Sequence, residues 1–74
     1  MSTPQLMLAF RVEMIDGTVT SGTVAVPGTD PAAACRAVAG AIRSHNTKYT
    51  RHPALVGIDP GQVEDLSVQC IGVA

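Results

Sequence analysis

Five large apolar residues on alternate positions, Leu6, Leu8, Phe10, Val12 and Met14, stand just before an Asp16-Gly17 pair. This feature constrains the fold more than any other in the chain. Period two over that span makes a strand with one buried face. Met7 and Ala9 weaken the contrast on the other face, where Gln5, Arg11 and Glu13 are polar. Asp-Gly is a strong hairpin signal, and Thr18 to Val26 is rich in the Thr and Val that suit a pleated surface. The loop length sets the register. A two-residue loop pairs Met14 with Val19 and sends Val24 and Val26 to the face away from Leu8 and Phe10. A three-residue loop over 15–17 pairs Met14 with Thr18, Phe10 with Gly22, Leu8 with Val24 and Leu6 with Val26. The second register gathers the apolar side chains on one face, and it places Gly17 where φ must be positive. It also sets the Phe10 ring over the bare backbone of Gly22.

Pro27-Gly28-Thr29 ends the second strand. Asp30 is a good N-cap and Pro31 suits the first helical position. Three alanines follow, and the helix is predicted to run to Ser44 or His45, with Asn46 as a left-handed C-cap. Its core stripe is Ala34, Cys35, Val38, Ala41 and Ile42. The opposite face carries Ala33, Arg36, Ala37, Gly40 and Ser44, which is bare for a solvated helix. Residues 45–52 read as a polar loop. A short strand is expected over Ala54 to Ile58, then one capped turn at Asp59-Pro60-Gly61-Gln62. Asp65 to Val73 reads as the last strand. Its end is apolar on both sides, which places it centrally or under cover. The expected fold class is α+β: one domain over residues 1–74, order β-β-α-β-β, an antiparallel sheet with one helix across one face.

Composition excludes several functions. At 74 residues the chain holds one small core. With 46% hydrophobic and 15% charged residues it is not a disordered tail. Net charge −1 excludes a polybasic nucleic-acid coat and a strongly acidic DNA mimic. Phe10 and Tyr49 are the only aromatic residues, too few for a stacking platform. Two cysteines, Cys35 and Cys70, are too few for a disulfide framework and are expected to be free thiols in the core. No basic leader opens the chain and no apolar run is long enough to span a membrane, so the expected location is cytoplasmic.

Chemistry is scarce. No nucleophile sits in a Gly-flanked elbow, and His45 and His52 lie in or beside the polar loop. Those histidines with Cys35 or Cys70 do not form a zinc spacing, and no Gly-rich phosphate loop occurs. No enzyme activity, metal or cofactor is expected. Charge order is more informative. From Pro31 to Ile58 the chain has the cations Arg36, Arg43, Lys48 and Arg51 and no acid. All six acids lie outside that span. Arg43, Lys48, Tyr49, Arg51 and His52 therefore form a candidate partner-binding loop. Ala33, Arg36, Ala37 and Gly40 form a candidate contact face on the helix, since small residues allow close backbone approach.

The hairpin, the Thr29-Asp30-Pro31-Ala32-Ala33-Ala34 start of one Ala-rich helix and the returning strands resemble small phage anti-CRISPR proteins. The likeness spans the chain as architecture and rests on Thr29 to Ala34 as sequence. It implies a non-enzymatic inhibitor that binds a subunit of a bacterial CRISPR effector complex and blocks guide or target access, in the host cytoplasm. It assigns no functional residue. The lack of strong negative charge departs from the DNA-mimicking members and points to a protein-surface contact. The alternatives are a weak nucleic-acid-binding domain using residues 43–52, or a small homodimeric structural subunit.

Overall fold

The computed structural model describes residues 4–44 and 52–74. The elements are β1 (Gln5–Met14), β2 (Val19–Pro27), α1 (Pro31–Ser44), a 3-10 turn (Pro60–Gln62) and β3 (Val63–Val73). The strands form one antiparallel sheet of order β2-β1-β3. The α+β character is therefore as expected.

The hairpin adopts the register with the three-residue loop. Leu6 pairs with Val26, Leu8 with Val24, Phe10 with Gly22 and Val12 with Thr20. The Met14 N–H donates to the Thr18 carbonyl at 2.8 Å. Gly17 takes φ +90°, the left-handed conformation that closes this loop. The Asp16 carboxylate accepts from the Thr18 N–H at 2.9 Å; hydrogen bonding from the Thr18 side chain first, and from this N–H second, holds its pKa below the ordinary carboxylate value.

Phe10 covers Gly22 so closely that a Cβ there would fall 2.9 Å from the ring's Cζ and 3.2 Å from Cε1 of His52. Gly22→Ala is therefore expected to destabilise the protein by about 1–3 kcal/mol through overpacking. Urea titration followed by circular dichroism measures this; a midpoint equal to wild type would show that the ring moves aside freely.

Helix α1 starts as its sequence requires. The Asp30 carboxylate accepts from the N–H groups of Ala32 and Ala33 at 3.1 and 3.3 Å. Ala34, Val38, Ala41 and Ile42 are buried, and half-buried Cys35 packs beside them. At the other end the Ser44 hydroxyl donates back to the Gly40 carbonyl at 2.7 Å. The C-cap expected at Asn46 lies outside the described residues.

Helix α1 lies across β1 and β3. The β2 side of the same sheet face is covered by residues 52–58, where His52 meets Phe10 and Gly22 and Leu55 is buried. Leu6, Leu8, Phe10 and Val12 of β1 supply the centre of the core.

Two expectations need correction. Residues 54–58 are not a strand, so among the described residues the sheet has three strands and the order is β-β-α-β. The His52 carbonyl accepts from the N–H groups of Leu55 and Val56 at 2.8 and 3.1 Å, a local helical turn that ends at Gly57 with φ +86°. The apolar pattern explains it. Ala54, Leu55 and Ile58 face the core while Val56 is exposed, which is helical spacing rather than alternation.

Nor is β3 central. It is an edge strand, and β1 takes the middle. The two-sided apolar pattern at its end comes from a bulge. Leu8 pairs with Cys70 but Met7 pairs with Gly72, so Ile71 is an extra residue. The bulge returns Val73 to a place opposite Leu6, and both Ile71 and Val73 stay exposed. The turn at Asp59 does form, its carboxylate accepting from the Gly61 N–H at 2.9 Å.

Candidate functional site

The packing of α1 decides which of its residues are free. With Ala34, Val38, Ala41 and Ile42 turned to the sheet, Ala33, Arg36, Ala37, Gly40 and Arg43 are all exposed. Their spacing puts them on one stripe along the helix. Arg43, expected to act with the loop that follows, is instead aligned by the helix with Gly40 and Arg36. A Cβ at Gly40 would meet nothing within 4 Å. Nothing in the described fold therefore requires glycine there, although glycine costs about 1 kcal/mol in a helix interior.

A groove of about 310 Å³ opens beside this stripe, between the 26–30 connection and Ala33, Ala34 and Ala37. Its walls are small, and Asp30, their single ionisable residue, already caps the helix. A second hollow, about 390 Å³, lies at Gly57, Ile58, Asp59 and Pro60. Asp59 there is engaged with the Gly61 N–H. Neither concavity gathers polar side chains as a substrate site does.

Of the basic loop, Lys48, Tyr49 and Arg51 lie outside the described residues. Arg43 and His52 flank it. His52 is half-buried and engaged in packing. Its ring meets Phe10 edge-on, with centroids 5.2 Å apart and planes at 87°. Its Nδ1 accepts from the Ala54 N–H at 3.1 Å, which leaves the ring proton of the neutral form on Nε2. This structural role is visible in the sequence only as a polar residue two positions before a turn amide, a weak signal.

Cys35 and Cys70 are free, half-buried and packed against the core. Among the described residues no group of three or more His, Cys, Asp or Glu side chains is placed to hold a metal. No described helix is long and apolar enough to cross a membrane. The one salt bridge among the described residues, Arg11 with Glu13 at 3.7 Å, lies on the open face of β1 and adds little to stability. No family model, curated protein or solved structure matches this chain.

Proposed function

We propose that this chain works by binding a protein, without a chemical step of its own, through the outer face of α1. The observation that carries this reading is the stripe in which exposed Ala33, Ala37 and Gly40 are flanked by Arg36 and Arg43. Small residues admit a partner's backbone, and arginine is enriched among the energetic anchors of protein interfaces. The specific form we propose, from the resemblance at Thr29 to Ala34, is a phage inhibitor of a bacterial CRISPR effector complex.

The test is phage plaquing on bacterial strains immune through different CRISPR effector complexes, each expressing this chain. Plaquing should rise in at least one strain, and Ala37→Glu should abolish the rise with an unchanged circular dichroism spectrum. No rise in any strain would overturn the inhibitor reading. A rise undiminished by Ala37→Glu would remove the helix face from it. If binding instead weakens uniformly as salt rises and follows nucleic acid, the cations are neutralising phosphates.

A further inference from the structure

The two edges of the sheet are built differently. Strand β3 carries the devices that keep an edge from pairing. Register shifts interrupt it at both ends, Glu64 and Asp65 charge it, and the Asp65 carboxylate occupies the Leu66 N–H at 2.9 Å. Strand β2 carries almost none. From Val19 to Pro27 it has no charged residue, and its register against β1 runs without a shift.

Alternation of hydrogen bonding identifies the main-chain groups of β2 that have no partner among the described residues. The Met14 N–H donates to Thr18 and the Gly28 N–H donates to Pro4, at 2.8 and 3.0 Å, which sets the phase at both ends of the hairpin. Thr20, Gly22, Val24 and Val26 therefore bond to β1, and Val19, Ser21, Thr23 and Ala25 turn their N–H and C=O groups outward. Pro27, which has no N–H to offer, falls in the next outward position.

We infer that the outer edge of β2 pairs antiparallel with β2 of a second copy of this chain, with Gly22 against Gly22 at the twofold axis, to make one continuous six-stranded sheet. This register uses every outward residue of β2 that has both a donor and an acceptor. Val19 faces the second copy's Ala25 and Ser21 faces its Thr23, and each such pair exchanges two main-chain hydrogen bonds. Any register displaced toward Pro27 wastes a carbonyl. The pairing also covers part of Val19, which is 46% exposed in the protomer. Electrostatics favours a copy of the same strand: β2 is uncharged, and Arg11 and Glu13, the charges across the ladder from it, lie one strand back and neutralise each other. The contact is closed by its own symmetry, so it ends at a dimer.

An edge contact alone is smaller than a standard interface, so the dimer should be reversible. Sedimentation equilibrium over a wide concentration range should show the mass rising from one protomer toward two. Amide exchange should slow with concentration at Val19, Ser21, Thr23 and Ala25, while Val68 on the β3 edge should not change. Thr23→Pro removes only an outward N–H, and Ser21→Lys sets like charges beside the axis. Each should weaken dimerisation about tenfold or more while the circular dichroism spectrum stays native. Ser67→Lys, on the exposed face of β3, should leave it unchanged. A wild-type chain that stays monomeric with no concentration-dependent protection overturns self-pairing and leaves the edge to an extended segment of some other protein. A dimer that survives both β2 variants overturns it as well, because the two copies then meet elsewhere.

Discussion

Phe10→Ala is expected to remove about 3–5 kcal/mol of stability, the usual range for truncating a buried Phe. Phe10 is 2% exposed and sits at the middle of the central strand. Its ring closes over Gly22 of β2 and takes the edge contact of His52, which covers that side of the sheet. The substitution therefore removes a core side chain and also uncovers a glycine that has no side chain to pack in its place. A domain of this length has total stability on the order of 5 kcal/mol, so the variant should be largely unfolded at room temperature. Thermal melts by circular dichroism are the measurement. An unchanged midpoint would mean that the hairpin register is wrong.

Leu55→Ala is expected to cost about 2–5 kcal/mol, whereas Val56→Ala should stay within about 0.5 kcal/mol of wild type. The contrast follows from the turn at 52–57. Leu55 is 3% exposed and Val56, one residue on, is 68% exposed. Among the described residues of the return from α1, Leu55 is the buried one that joins the core, with half-buried Ala54 and Ile58 beside it. The lower end of the range applies if the turn settles into the space left behind. Urea unfolding of both variants decides the matter. A strand over 54–58 would put Val56 on the same face as Ala54 and Ile58, and equal losses at Leu55 and Val56 would favour that arrangement.

The hairpin and the helix could be read from the sequence because several independent signals agree there. Gly17 needs its positive φ at one loop position only, and that position is also the one that brings Val24 and Val26 beneath Leu8 and Leu6. Asp30 and Pro31 fix the helix start in the same way, by cap and by φ. Residues 54–58 misled because five residues are too few to separate a helical period from an alternating one, and Pro53 suits the start of either. The end of β3 misled because a bulge and a two-sided strand both place apolar residues at successive positions. Gly72 between Ile71 and Val73 was the clue to the bulge. Strand order was not readable at all. That β1 takes the middle depends on where β3 docks, and so the unprotected β2 edge comes into view only in three dimensions. The helix face was legible as an absence, a stretch with too few charges for a solvated surface. Arg43 reads as part of the loop because it is next to it along the chain, whereas its place on the helix surface sets it with Arg36 and Gly40.

The central position of β1 also governs the order in which the sheet is built. Its pairing with β2 is local, closed by a loop of three residues at Ile15, Asp16 and Gly17. Its pairing with β3 joins residues as far apart in sequence as Leu6 and Val73. Closing that long loop must be achieved before the contacts it makes can reward it. The hairpin is therefore expected to pair first and β3 to dock last. Until it docks, β1 shows its second hydrogen-bonding edge to solvent. In that order of assembly both edges of a two-stranded ribbon stay open until β3 arrives, and association at that stage would join chains through β1 instead of completing the fold.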